Sequence, residues 1–260
     1  RFTTAAYVPP VLDATRIVFS APDEATGLVT VSAPAGSFPP GTTILIVNSG
    51  NGVVLSLTAD NDGAVSGELP ASVDDRLLVT VTDPLGNAVT FERSQYVIDP
   101  ATGETAVGAG GGVVTSPEAP GFELRVPPDA VDRAVRLKLS ALSLADFEAL
   151  PALPDAEFGA GMRVDAPEKP AFGKEVDLAF PLSSLPEPPT GQKAEDAHYA
   201  VVREIRAADG TAYFQTIDEA RVECAGGGSE CAPADQRVVT ASFPFPGFLT
   251  PFGALTASFG

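Results

Sequence analysis

The stretch Asp75-Arg-Leu-Leu-Val-Thr-Val-Thr-Asp-Pro-Leu-Gly-Asn-Ala-Val-Thr-Phe-Glu-Arg93 decides the fold class. Two short runs rich in Val, Leu and Thr, Arg76–Asp83 and Ala88–Arg93, lie on either side of a turn made of residues that preset or tolerate turn conformations. Runs of this kind, each closed by Gly, Pro, Asp or Asn, continue along the whole chain. This rhythm is typical of β-sandwiches, so we predict an all-β protein.

Length and composition favour two β domains over one. The chain has 260 residues, of which 44% are hydrophobic, and this length fits two ordinary cores better than a single large one. The 25 glycines and 25 prolines are interpreted as turns between strands. No apolar run approaches the roughly 18–20 residues that cross a bilayer, so we expect no membrane span.

The charge is strongly acidic. The chain carries 34 acidic and 16 basic residues, a formal net charge of −18. Such a charge repels nucleic acid and anionic membrane surfaces, so neither is an expected partner. Solubility outside the cell or tolerance of salt is the favoured explanation, and cation storage is the alternative.

The first half of the chain predicts one complete domain, residues 14–98. Seven runs between residues 16 and 93 are interpreted as strands: Arg16–Ser20, Leu28–Ala33, Thr42–Asn48, Val53–Ala59, Ala64–Leu69, Arg76–Asp83 and Ala88–Arg93. Seven strands in this length is an immunoglobulin-like count.

An extended segment, Arg1–Asp13, precedes this domain. Its residues alternate, which places Phe2, Thr4, Ala6 and Val8 on one face. A strand ahead of a complete domain can add to the sheet edge of a neighbouring chain, as strand-addition assembly requires, or it can fold back on its own chain. The sequence leaves both alternatives open.

Three motifs in the first domain resemble the bacterial immunoglobulin-like repeats of secreted surface proteins. They are Ala35-Gly-Ser-Phe-Pro-Pro-Gly-Thr-Thr-Ile-Leu-Ile-Val-Asn48, Asp60-Asn-Asp-Gly-Ala-Val-Ser66 and Asp75-Arg-Leu-Leu-Val-Thr-Val-Thr-Asp-Pro-Leu-Gly-Asn87. The resemblance covers residues about 16–98. It implies a spacer or adhesive stalk.

Residues Asp99 to Gly110 have no apolar periodicity and are predicted to be a linker, residues 99–110, into a second domain. Beyond it, Gly111-Gly-Val-Val114 and Gly121-Phe-Glu-Leu-Arg-Val-Pro-Pro-Asp-Ala-Val131 resemble the opening of the ZU-type β-sandwich, which would span residues 111–260. This resemblance implies a packing or adhesion module of a larger surface assembly. The self-cleaving versions of that domain cut at a His-Phe-Ser sequence, which this chain lacks, so autoproteolysis is not implied.

The two cysteines, Cys224 and Cys231, are separated by a glycine-rich stretch that lets them approach each other. We predict a local disulfide, which places the protein in an oxidising compartment, extracellular or at the cell surface. Metal binding is the alternative, but the spacing is not that of a zinc site.

Calcium is the one cofactor that the sequence suggests. Asp60 and Asp62 stand in the turn-like Asp60-Asn-Asp-Gly63, and an extracellular module can bind calcium weakly through such oxygen ligands. The favoured interpretation is a hairpin turn with Gly63 in the left-handed conformation, because the downstream Glu of an EF-hand is missing.

The residues that catalysis needs are scarce. The single histidine, His198, lies in an alternating run and is interpreted as a strand-face residue, and there is no tryptophan to stack on sugar rings. We therefore expect no enzymatic activity. The first hypothesis is a subunit of an extracellular filament or layer assembled through residues 1–13, and the alternative is an adhesion or spacer module that binds a protein or glycan. The expected partners are other copies of the chain or other surface proteins.

Overall fold

The chain is all-β in the computed structural model, which describes residues 16–147, 156–168, 170–185, 198–224, 236–242 and 252–257. The prediction of an all-β class is confirmed. Helical structure in these ranges consists of two 3₁₀ turns, Leu144–Asp146 and Leu182–Ser184. No helix in the described part of the chain is long and apolar enough to cross a membrane.

The first seven strands form two antiparallel sheets that share one core. They are β1 (Val18–Phe19), β2 (Leu28–Ala33), β3 (Thr43–Asn48), β4 (Val54–Thr58), β5 (Val65–Pro70), β6 (Leu77–Thr82) and β7 (Ala88–Arg93). A three-stranded sheet has the order β1-β2-β5, and a four-stranded sheet has the order β4-β3-β6-β7. Alternate residues point inward, so Val29 and Val31 of one sheet join Ile44, Ile46 and Val79 of the other in a single buried cluster.

Twelve further strands form a second pair of sheets. They are β8 (Gln95–Asp99), β9 (Glu104–Val107), β10 (Gly112–Ser116), β11 (Ala119–Val126), β12 (Val135–Leu142), β13 (Ala156–Asp165), β14 (Val176–Pro181), β15 (His198–Arg206), β16 (Ala212–Glu219), β17 (Arg221–Cys224), β18 (Gln236–Ser242) and β19 (Phe252–Ala257). The order is β10-β11-β14-β18-β17 in a five-stranded sheet and β16-β15-β19-β13-β12-β9-β8 in a seven-stranded sheet. Leu124, Leu139, Met162 and Leu178 are fully buried in their common core.

The structure corrects the prediction of a linker at residues 99–110. Glu104–Val107 form β9, which pairs with β8 on one side and β12 on the other. The strand was missed because Thr105, Ala106 and Val107 are all buried, so the alternation that marks a half-exposed strand is absent. This stretch is therefore an integral part of the seven-stranded sheet, while the domain limits at 98 and 111 stay predictions.

Leu144–Asp146 form a single 3₁₀ turn. Ser143 caps it, since its backbone N–H and its hydroxyl both donate to Asp146 Oδ2 at 2.7 Å. The N-terminal segment Arg1–Asp13 lies outside the described residues.

Two turn glycines provide a test of the turn geometry. Gly63 has φ +77° and Gly52 has φ +74°, but a Cβ on Gly63 would lie 2.1 Å from Phe38 O, whereas a Cβ on Gly52 would meet no atom within 4 Å. Gly52→Ala should therefore cost about 1–2 kcal/mol, for the left-handed backbone alone. Gly63→Ala should cost at least about 1–2 kcal/mol more, because the turn at Phe38 must move. Denaturant unfolding of both variants measures the difference, and equal losses would contradict the close approach.

Candidate functional site at the junction of the two sheet pairs

One chain segment passes directly from the first pair of sheets to the second. β7 ends at Arg93 and β8 begins at Gln95, so a single residue, Ser94, separates an edge strand of the four-stranded sheet from an edge strand of the seven-stranded sheet. Tyr96 of β8 nevertheless belongs to the first core, where its ring packs edge-on against Phe19 with centroids 6.5 Å apart. β8 therefore contributes to both units.

Ser94 is completely buried and uses all its polar groups at this crossing. Its hydroxyl donates to Asp75 O at 2.6 Å and accepts from Gly110 N at 3.1 Å. Its backbone N–H donates to Gly111 O at 3.0 Å, and its carbonyl accepts from Gly108 N at 2.6 Å. The loop after β9 is thereby bound to the end of β7.

The glycines of this loop are required by close approach. A Cβ on Gly108 would lie 2.8 Å from Val73 O, and a Cβ on Gly110 would lie 2.6 Å from Ser94 Oγ. The glycine-rich sequence that suggested a flexible linker serves instead to bring two backbones into contact.

Charged side chains join the units beside this crossing. Arg76, directly before β6, donates to Glu92 at 3.2 Å and forms an ion pair with Asp129 of the second unit. Lys174 lies 3.5 Å from the same Asp129 carboxylate. The hydrogen bond from Arg76, and then its positive charge, hold the pKa of Asp129 below its usual value.

Two further carboxylates order the first unit's side of the junction. Asp74 Oδ1 accepts from Ala134 N of the second unit at 2.9 Å. Asp75 Oδ2 accepts from Asn48 Nδ2 at 2.8 Å and from Ser72 N at 2.9 Å. Burial raises the pKa of Asp75, but these hydrogen bonds outweigh burial and leave the pKa below its usual value.

An open cavity of about 800 Å³ lies at the junction, lined among others by Arg76, Asp129, Val131, Arg133 and Pro170. A smaller cavity of about 410 Å³ is lined by residues that include Arg93, Val113, Arg125, Glu175 and Asp177. The charges around both cavities are of mixed sign. The ion pair between Arg76 and Asp129, which line the larger cavity, joins the two units there.

Arg93 lies at the same crossing with its guanidinium 4.6 Å from the centre of the Phe91 ring. Burial lowers its pKa to about 10, which leaves the side chain charged at neutral pH. A cation over an aromatic face is a favourable arrangement in a partly dehydrated position.

The predicted calcium residues Asp60 and Asp62 lie in the turn between β4 and β5, far along the chain from the junction. Asp60 Oδ1 accepts from the N–H groups of Asp62 and Ala64, both at 2.9 Å, and Gly63 has φ +77°. Gly63 is left-handed as predicted, but the turn is not a hairpin, because β4 pairs with β3 and β5 pairs with β2 of the other sheet. The described residues contain no group of three or more Asp, Glu, His or Cys placed to hold a metal ion, and calcium at Asp60 and Asp62 stays a prediction.

The other predicted sites are described in part. Cys224 is buried at the end of β17, and Cys231 lies outside the described residues, so the disulfide stays a prediction. His198 begins β15, as predicted for a strand residue. The proposed assembly strand with Phe2, Thr4, Ala6 and Val8 also lies outside the described residues.

The residues that build the junction were not singled out from the sequence. Ser94 and Asp129 act through contacts with residues far along the chain, and neither belongs to a recognisable motif. One signal was available, since Gly108 to Gly112 contains four glycines in five positions, a density that indicates close backbone approach as well as flexibility.

Comparison with known proteins gives no family. No family model and no curated protein matches the sequence. Among solved structures, one concerned with the structural basis for the promiscuous specificity of carbohydrate-binding modules from the β-sandwich superfamily is 13% identical, with a TM-score of 0.21 over 94% of this chain and 90% of the other. A similarity at this TM-score carries no argument about fold or function.

The hydroxyl of Ser94 should be essential to the junction. Ser94→Ala leaves Gly110 N–H without its acceptor in a buried position, which costs about 1–3 kcal/mol of unfolding free energy. Ser56→Ala, at an exposed serine of β4, is the control and should change stability by less than about 0.5 kcal/mol. Denaturant unfolding measures both, and equal effects would contradict the role given to Ser94.

Acid should weaken the contact between Arg76 and Asp129. Because the folded-state pKa of Asp129 is lowered, its contribution is present above the unfolded value of about 4 and is lost as pH falls through the folded pKa. Asp129→Asn should therefore lower the melting temperature at neutral pH and have a smaller effect below about pH 3. Asp132→Asn, at an exposed carboxyl of the same cavity, is the control. A pH-independent effect of Asp129→Asn would show that charge is not its contribution.

Proposed function

We propose that this chain is a non-enzymatic extracellular module that acts as a spacer or adhesion unit of a larger surface protein. The observation that carries the proposal is the junction. A spacer must hold its units at a fixed angle, and here a one-residue connection between β7 and β8, a fully bonded buried serine and the Arg76–Asp129 ion pair join the two pairs of sheets.

The fold that fits this proposal is a pair of tandem β-sandwiches. Three and four strands around one core agree with the strand number of an immunoglobulin-like sandwich over residues 14–98. The five- and seven-stranded sheets would then form the ZU-like sandwich that the sequence motifs suggest for residues 111–260. Spacer and adhesion modules of surface proteins are built from such units in series.

The use of the acidic residues also supports a structural function. Asp23, Asp83, Asp99 and Asp209 each accept hydrogen bonds from backbone N–H groups of their own turns, as Asp60 does. The pKa of Asp23 is lowered first by its hydrogen bond with the Thr26 hydroxyl. These carboxylates therefore stabilise turns. A bound cation is not needed to explain this part of the acidic excess.

The extracellular location is proposed from the cysteines. Cys224 precedes the connection from β17 to β18, two strands that pair in register from Arg221 with Val239 to Cys224 with Gln236. A disulfide to Cys231 would close this connection and would require an oxidising compartment.

Assembly into filaments through residues 1–13 is the first hypothesis from the sequence, and the spacer or adhesion module is its alternative. No contact among the described residues bears on it. The spacer or adhesion function is preferred because the junction, which is described, supports it.

Distance measurements across the junction test the spacer function. Spin labels at Leu85, 88% exposed in the turn before β7, and at Ala208, exposed in the turn before β16, report on the two units. The unaltered junction should give a narrow distribution of label distances. Removing two cross-unit contacts with Asp74→Ala and Arg76→Ala together should broaden it.

Arg133→Ala is the matched control for this experiment, because Arg133 is an exposed cation of the same cavity. It should leave the distribution narrow. A broad distribution in the unaltered chain would overturn the spacer function, since a flexible junction cannot hold a fixed angle.

A further inference from the structure

The outward face of the four-stranded sheet has an unusual composition. The strand registers place its side chains in three cross-strand rows of four: Thr58, Thr43, Thr82 and Ala88; Ser56, Leu45, Thr80 and Thr90; Val54, Val47, Leu78 and Glu92. The opposite face of the same strands carries the first core. We refer to these twelve residues as the outer face of the first unit.

The outer face is electrically neutral on a strongly acidic protein. Glu92 is its one ionisable residue, and Arg76 balances it at 3.2 Å. The whole chain carries a formal net charge of −18. The outer face therefore presents no net charge to a partner.

Apolar side chains form a continuous patch on this face. Val54, Leu45 and Leu78 are 56%, 41% and 42% exposed, and Val47 lies between them, directly opposite both Val54 and Leu78. Directly opposite residues of neighbouring strands have Cβ atoms about 5 Å apart, so Val54, Val47 and Leu78 touch or nearly touch. Leu45 lies on the same face in the adjacent row, about 7 Å from Val47 along β3.

The polar part of the face is suited to a contact that excludes water. The hydroxyls of Thr80 and Thr90 are 2.9 Å apart and hydrogen-bond to each other. A hydroxyl pair that satisfies itself loses less on dehydration than two hydroxyls that depend on water. Threonine also presents a methyl group, which packs well on a flat sheet surface.

We propose that a second copy of this chain docks on the outer face, sheet against sheet. Two sheets that bury facing surfaces pack about 10 Å apart, which is the arrangement already present inside each unit. A basic partner would be drawn to the acidic surface elsewhere. Two copies of an acidic chain repel each other, and the outer face is a surface on which they can meet without placing unpaired like charges in contact.

The area of the face sets the strength of this contact. Four strands about 4.8 Å apart and three rows about 6.8 Å apart cover about 400 Å², or about 800 Å² for both copies. Stable interfaces bury about 1,200–2,000 Å², so the dimer is weak and acts where many copies are displayed together. Salt screens the net repulsion, so salt strengthens the dimer.

Sedimentation equilibrium of the full chain at about 0.02 M and about 0.5 M NaCl tests the proposal. The dimer fraction should rise with protein concentration and with salt. Leu45→Glu with Leu78→Glu buries unpaired charges in the contact and should raise the dimer dissociation constant at least about tenfold in both salts. Leu85→Glu adds the same charge at a turn residue outside the face and should retain most of the dimer, losing only what its added charge costs.

Val54→Glu alone gives a second variant at the most exposed apolar position of the face, in case the double variant is destabilised. Amide shifts that change with concentration should be confined to β3, β4, β6 and β7. If the chain is monomeric at millimolar concentration in high salt, the proposal is overturned. The face would then bind a neutral partner other than a second copy. A dimer that survives both face variants would overturn it as well and assign self-association to another surface. Neither result would alter the junction, which label distances measure separately.

Discussion

The buried hydrogen bonds of Ser94 are the constraint on which the rest of the arrangement depends. β7 ends in one sheet and β8 begins in another, so the backbone groups at the crossing lose their strand partners. Buried backbone groups must be satisfied, and here Gly108 and Gly111 take the place of a neighbouring strand. The serine hydroxyl binds Asp75 O and Gly110 N in addition, which fixes both sides of the crossing. With Ser94 held in this way, Tyr96 reaches back into the first core while β8 pairs in the second.

The carboxylates of this acidic chain have two structural roles. Many carboxylates are internal parts of turns, where they accept backbone N–H groups and have lowered pKa values, as at Asp83 and Asp99. Others, Asp74 and Asp129, join the two units. Part of the net charge of −18 therefore comes from carboxylates that stabilise turns and the junction. The net negative charge still opposes association, because two copies of the chain repel each other except where their facing surfaces carry no net charge.

Local features of the fold could be predicted from the sequence, and long-range ones could not. Leu28–Ala33 and Ala88–Arg93 have the limits that alternation and turn residues indicated, because both signals lie within a few neighbouring residues. The turn at Asp60 and Gly63 was predictable for the same reason. β9 gave no alternation, since both of its faces are buried. The junction depends on contacts such as Arg76 with Asp129, 53 residues apart, and no local pattern encodes such a pairing.

A fixed junction and a weak docking face reinforce each other. A contact that buries about 800 Å² in all gains little beyond the entropy lost on association, so any further freedom of the units would weaken it. Arg76 links the outer face to the junction, since it pairs with Glu92 on the face and with Asp129 across the junction. Holding Arg76 in one place therefore keeps the face neutral and its orientation to the second unit constant. When copies are displayed side by side, constant orientation lets each weak contact raise the effective concentration for the next.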